Sequence, residues 1–167
     1  MAVAAGMAVA GCSHTVGGSA QLAAPEAVEA GRNFGYIDNS CGRLADSTVQ
    51  ETIEADDIVR PYSGAVCQYV LSRGDSIVDA TFSWFESGSL ERERALADER
   101  GAEITDTVVE RYPSFLARTS VTGVSCSATT SANPGVLSWF VQYRDEQDGD
   151  PCADAEKLLA ATLSSEM

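Results

Sequence analysis

Five cysteines constrain this chain more than any other feature: Cys12, Cys41, Cys67, Cys126 and Cys152. An odd number in an exported chain leaves one thiol free or committed to other chemistry, and the remaining four allow three disulfide connectivities. The spacing selects one of them. Cys41 and Cys67 stand 26 positions apart, and so do Cys126 and Cys152. In the reading given below, each pair joins the start of a helix to a strand. Cys41–Cys67 and Cys126–Cys152 are therefore the expected bridges. The alternative is four reduced core thiols in a cytosolic protein. No CxxC occurs and the single histidine, His14, is remote from all four, so no metal site is expected.

The fifth cysteine closes Val9-Ala10-Gly11-Cys12, which has the form of a lipobox, the site where an exported precursor is cut before a lipidated cysteine. Residues 1–10 are apolar and uncharged. We read 1–11 as a lipoprotein-type signal peptide, short and without a charged start, and expect the true start to lie upstream. The alternative is an ordinary thiol in a small-residue tail. Residues 12–33 are rich in Ser, Gly and Ala and read as a tether. His14 lies in it and is given no catalytic role. Residues 34–167 form one domain. A palmitate-type lipid on Cys12 would hold that domain at the outer face of the plasma membrane.

Hydrophobic residues make up 44% and charged residues 22%, a globular balance. Net charge is -14, and no charge precedes Cys12. Such a field repels nucleic acid, so no nucleic-acid partner is expected. No apolar run reaches the roughly 18 residues of a membrane-spanning helix.

Ser47 and Gln50 fit a capping box opening a short helix, with Val49 and Ile53 facing the core. Acids at Glu51, Glu54, Asp56 and Asp57 occupy its outer face and exit, and Pro61–Gly64 reads as a turn. Ala65–Arg73 alternates, with Cys67, Tyr69 and Leu71 on one side. Gly74-Asp75 closes a hairpin onto Ser76–Glu86, whose Val78, Ala80, Phe82 and Trp84 share a face. Ser89–Arg100 is helical with Ser89 as cap, and Glu103–Arg111 reads as a second helical piece with Ile104 and Val108 on one face. Three strands follow: Phe115–Val121, Ser125–Ser131 and Val136–Arg144. Asp150 caps a terminal helix with Pro151 at its first position and Cys152, Ala155, Leu159 and Leu163 along one stripe. Strands that arrive as hairpins give an α+β domain, an antiparallel sheet of about five strands with N-terminal, middle and C-terminal helices packed on it.

These residues resemble the actinobacterial envelope lipoproteins grouped as domain of unknown function 3558. The matching features are the lipobox, Cys41 ahead of a helix, Cys67 and Cys126 in strands, and Asp150-Pro151-Cys152-Ala153 opening a terminal helix. The resemblance covers about residues 36–165. It implies a small exported domain of the Mog1/PsbP-like kind and transfers no catalytic residue. The aromatic that usually follows the second cysteine is displaced, with Gln68 and then Tyr69 in its place.

Catalytic patterns are not found. A Ser–His–Asp or Cys–His site needs a histidine that the domain lacks, and no GxGxxG or GxxxxGK[ST] occurs. No enzyme activity and no cofactor are expected. The alternative is an envelope hydrolase using paired carboxylates. Asp145–Asp150 is the densest acidic cluster, but its glycine falls one place early for a calcium loop and it reads as a polar loop ending in a cap. Phe85 and Phe140 have the opposite parity to Trp84 and Trp139, so they lie on the other sheet face with Ser83, Ser138 and Gln142. Unless the helices of 89–111 cover that face, it is the candidate binding surface. The expectation is a monomeric envelope domain that binds a protein, glycan or lipid partner near the membrane.

Overall fold

The computed structural model describes residues 33–120, 123–144 and 149–165. Cys12, the signal peptide, nearly all of the tether with His14, and residues 145–148 of the acidic loop lie outside the described residues. The elements are α1 (Asp46–Thr52), β1 (Asp57–Tyr62), β2 (Val66–Arg73), β3 (Ser76–Phe85) and α2 (Leu90–Glu99), followed by β4 (Glu103–Val109), β5 (Tyr112–Thr119), β6 (Ser125–Ser131), β7 (Val136–Tyr143) and α3 (Pro151–Ser164).

The architecture is α+β, as expected, but the sheet has seven strands and not about five. Their order is β1-β2-β3-β7-β6-β5-β4, and every neighbouring pair is antiparallel. The two additional strands are β1 and β4. Strand β1 occupies Asp57–Tyr62, where acids and a proline suggest a helix exit and a turn. Pro61 is tolerated there because β1 is an edge strand and its register shifts between Val59 and Tyr62. Strand β4 replaces the helical piece expected over Glu103–Arg111. Ile104 and Val108 are four apart, a spacing that puts two residues on one face of a strand as well as of a helix. The β-branched content of Ile104, Thr105, Thr107, Val108 and Val109 favours the strand. Glu110 and Arg111, with φ of 49° and 71°, make the tight turn into β5.

The core lies on one face of the sheet, under α1 and α3. Tyr69, Leu71, Val78, Ala80, Phe82, Leu137, Trp139 and Val141 are buried there, as strand alternation requires. Trp139 is at the centre. Its ring lies 5.8 Å from Tyr69 and 5.2 Å from Phe82, centroid to centroid. Its indole N–H donates to Thr162 Oγ1 of α3 at 2.9 Å, so the buried donor is satisfied. Helix α3 contributes the expected stripe, with Cys152, Ala155, Leu159 and Leu163 all buried, and adds Leu158 and Thr162. The Asp150 carboxylate accepts from the Cys152 backbone N–H at 3.0 Å, which caps the helix.

The capping box at Ser47 and Gln50 does not form. Helix α1 starts two residues earlier, with Ala45 at the cap and no side-chain cap bond. Gln50 instead donates to the carbonyls of Ala55 and Asp56, at 3.1 and 2.9 Å, and so shapes the exit into β1. Val49 and Ile53 are buried as expected.

Two disulfides staple this face. Cys41 is bonded to Cys67 and Cys126 to Cys152. The second bridge joins β6 to the first turn of α3, as the spacing suggests. The first ties β2 to the segment just ahead of α1, where Cys41 pairs with Leu44 in an isolated bridge.

Candidate functional site

Among the described residues, α2 is the one helix on the opposite face of the sheet. Glu93, Leu96, Ala97 and Arg100 recur at helical spacing and form the stripe turned to the sheet. None of the helix's residues is fully buried. Ser89 caps it by accepting from the Arg92 backbone N–H at 3.3 Å. Arg94 fastens it by pairing with Asp106 of β4, and its guanidinium lies 5.9 Å from the centroid of the buried Phe115 ring. The helix thus lies across β4, β5 and β6, and the cleft opens between it and the sheet toward β7 and β3.

The sheet beneath leaves room for that cleft. Register aligns Ser83 with Ser138, Ser138 with Thr129, and Thr129 with Phe115. Three short hydroxyl side chains therefore run across β3, β7 and β6, where a packed helix would meet branched apolar ones. Thr129 Oγ1 and Ser138 Oγ are hydrogen-bonded at 2.9 Å. Ser127, opposite Phe140, extends the hydroxyl surface by one row. The space left between this floor and α2 is a cleft of about 330 Å³. Volumes of this order hold small ligands.

Phe85 and Phe140, the two residues singled out on this face, both line the cleft. They are 45% and 36% exposed, so α2 covers the face only in part. Thr81 pairs with Phe140 and Phe85 pairs with Val136, which puts the rings on adjacent strands with the Ser83–Ser138 pair between them. Gly135, with φ of +87°, brings the β6–β7 turn against the Phe85 backbone, where a Cβ would stand 2.0 Å from the Phe85 carbonyl oxygen. Gln142, on the same face by parity, is not among the cleft residues.

Phe85 also borders a second, more open cleft of about 540 Å³, which Tyr36, Trp84 and Glu86 line with Gly64 and Ala65. The Trp84 indole N–H donates to the Pro134 carbonyl at 3.0 Å, and Phe34 meets the Trp84 ring edge-on at 6.3 Å. Phe85 therefore borders both clefts, with Phe140 in the first and Trp84 and Tyr36 in the second.

A polar cluster on the core side escaped the sequence reading. Asp154 of α3 is buried and accepts from Arg73 at 2.9 Å, from Lys157 at 3.3 Å and from the Tyr143 hydroxyl. Arg73 also donates to the Ile53 carbonyl at 3.2 Å. Burial, and then the hydrogen bond to Asp154, push the Tyr143 hydroxyl up to about 12. Asp154 and Arg73 are 81 positions apart, and no local pattern couples them.

Carboxylates are not brought together on either side of Phe85: Glu93 lines the first cleft and Glu86 the second. Among the described residues no group of three or more His, Cys, Asp or Glu is placed to hold a metal ion. Likewise, no described helix is long and apolar enough to cross a membrane.

The profile of the family described as Protein of unknown function (DUF3558) matches residues 7–165. This chain belongs to that family. Searches of curated proteins and of solved structures each found no match. In this DUF3558 domain, the disulfides, the caps and the Trp139 core build the scaffold, and the α2 cleft is one of the spaces open to a ligand among the described residues.

Proposed function

We propose that this DUF3558 protein is a cell-envelope lipoprotein, held at the outer face of the plasma membrane by a lipid on Cys12, whose α+β domain binds a ligand without transforming it. The observation that carries the reading is the pairing of Phe85 and Phe140 in one cleft on the thinly covered face of the sheet. An aromatic ring half exposed beside a concave polar floor is a common arrangement for ligand capture. Its lining supports binding over hydrolysis. Glycoside hydrolysis with paired carboxylates calls for two acids facing each other, and among the described residues that line this cleft Glu93 is the one acid. Two disulfides in one small domain fit an oxidising compartment outside the cytoplasm. A sheet with helices on both faces is compatible with the Mog1/PsbP-like likeness, which belongs to this proposal.

Two measurements test the reading together. Metabolic labelling with an alkyne palmitate analogue should mark the protein in the membrane fraction and be lost in Cys12→Ala. Native mass spectrometry of the protein extracted from membranes should show a bound molecule that Phe85→Ala with Phe140→Ala removes. Equal labelling of Cys12→Ala would overturn the anchor, and a ligand retained by the double variant would overturn the cleft.

A further inference from the structure

The chemistry of the cleft narrows its ligand further, and this step rests on the binding reading above. Three properties of the cleft act together. The floor is hydroxyl-bearing: Ser83, Ser138 and Thr129 form a row, and the Thr129–Ser138 bond at 2.9 Å leaves serine donors and acceptors available to a ligand. The walls are aromatic: Phe85 and Phe140 flank that row on adjacent strands and are partly exposed. Finally, the chain is strongly acidic, with a net charge of -14, which raises the cost of bringing in any anion.

Each property excludes a ligand class. An acyl chain finds no continuous apolar lining, because the hydroxyl row would lose its hydration without gaining a partner. Phosphorylated and carboxylated ligands meet the acidic field of the chain as a whole, while the cleft lining itself carries one acid, Glu93, and one base, Arg100. What remains is a neutral, polyhydroxylated molecule with an apolar face. A pyranose ring is such a molecule. Its axial C–H groups carry slight positive charge and stack on the electron-rich face of an aromatic ring, while its equatorial hydroxyls exchange hydrogen bonds with short side chains.

We infer that the α2 cleft binds a neutral sugar ring, stacked on Phe140 or Phe85 over the Ser83–Ser138–Thr129 row, and that Phe85 passes the glycan into the adjoining cleft beside Trp84 and Tyr36. Phe85 borders both spaces, and each has a further aromatic residue, Phe140 in the first and Trp84 with Tyr36 in the second. The occupant is a neutral oligosaccharide, with the disaccharide bound more tightly than its single ring.

The test uses the full chain with both disulfides formed and amide chemical-shift mapping. The sugar probes are methyl glycosides of glucose, galactose, mannose and N-acetylglucosamine, with their β- or α-linked disaccharides. Separate arms carry glucuronic acid, octanoate and a neutral tetrapeptide. At least one neutral sugar should shift the amides of Ser83, Ser127 and Ser138, and its disaccharide should bind several-fold tighter. Phe140→Ala and Phe85→Ala should each weaken binding about tenfold or more, while Val59→Ala, exposed on edge strand β1, should leave it unchanged. A variant whose spectrum loses native dispersion is replaced by Ser138→Leu, which fills the floor and should block the same sugar. Shifts from the peptide, the acid or octanoate, with none from the sugars, overturn the sugar assignment and leave the cleft a binding site. Silence of the cleft amides in every arm overturns both.

Discussion

Thr129 and Ser138 face each other across β6 and β7 with their hydroxyl oxygens 2.9 Å apart, on the side of the sheet that α2 crosses. Thr129 is buried, so the bond satisfies a hydroxyl that water does not reach well. Ser138→Ala should cost about 1 kcal/mol, because it leaves that hydroxyl without its partner. Thr129→Val combined with Ser138→Ala should cost less than the single change, because both polar groups leave together. Urea unfolding of the two variants checks the order, and a double variant less stable than Ser138→Ala would contradict it.

Asp154 is the buried charge most exposed to mutation. Its removal in Asp154→Ala takes the carboxylate partner from the Arg73 guanidinium, whose side chain is only 23% exposed. Breaking a buried pair from one side costs about 3 kcal/mol, and partial exposure of Arg73 places this one at the low end. Asp154→Asn keeps the shape and part of the hydrogen bonding, so its loss should be smaller. Denaturant midpoints for the two variants should fall in that order.

Each disulfide closes a loop of 26 positions. In the chain-entropy account, opening one costs about 3 kcal/mol. The Cys126→Ser, Cys152→Ser protein should therefore unfold at lower denaturant with α3 loosened first, since that bridge pins the first turn of α3 to β6. Non-reducing peptide mapping of the unaltered protein should recover Cys41 with Cys67 and Cys126 with Cys152. A Cys41–Cys126 or Cys41–Cys152 peptide would contradict the pairing.

Alkaline pH should weaken the fold through two tyrosines. Burial pushes Tyr69 from 10.0 to about 12, and burial with the Asp154 hydrogen bond does the same for Tyr143. Both folded-state values lie above the unfolded one. Their contribution is therefore intact below pH 10.0 and is lost as pH climbs through about 12. Ultraviolet titration straight after a pH jump should show Tyr69 and Tyr143 ionising late, together with loss of near-ultraviolet dichroism. Ionisation of Tyr69 and Tyr143 near 10.0 in the folded protein would contradict this.

Helix α2 should open more readily than α3. It buries no residue fully, whereas α3 buries eight. Elements with few buried contacts open at lower free energy and exchange their amides sooner. Hydrogen exchange should report α2 ahead of α3, and Arg94→Ala should hasten it by removing the hold on Asp106 and Phe115. Equal protection of the two helices would mean that α2 is packed more firmly than its side chains indicate.

Much of this fold is legible in short-range patterns. Strand alternation identifies β2, β3 and β7 because each puts one face into the core, and a two-residue period has no helical counterpart over eight residues. Asp150-Pro151 marks the start of α3 because both residues suit a helix's free N–H groups. The equal cysteine spacings point to the two bridges that the structure contains. Phe85 and Phe140 stand out by parity alone, and both line the cleft.

What tertiary structure alone decides is where those pieces meet. Ile104 and Val108 satisfy a helix and a strand equally, and pairing of β4 with β5 breaks the tie by giving seven residues a ladder of backbone hydrogen bonds. Asp57–Tyr62 has two acids' worth of polar signal nearby and a proline, yet an edge position tolerates both. The Asp154–Arg73 bond spans 81 positions, beyond the reach of any local period. The cleft has the same origin. Ser83, Thr129 and Ser138 are ordinary polar positions in three separate segments, and only the sheet order β3-β7-β6 sets them in one row under α2. Sequence determines which way each side chain faces, because that follows from the local backbone period. Tertiary structure determines which faces share a space, because that depends on contacts between distant segments.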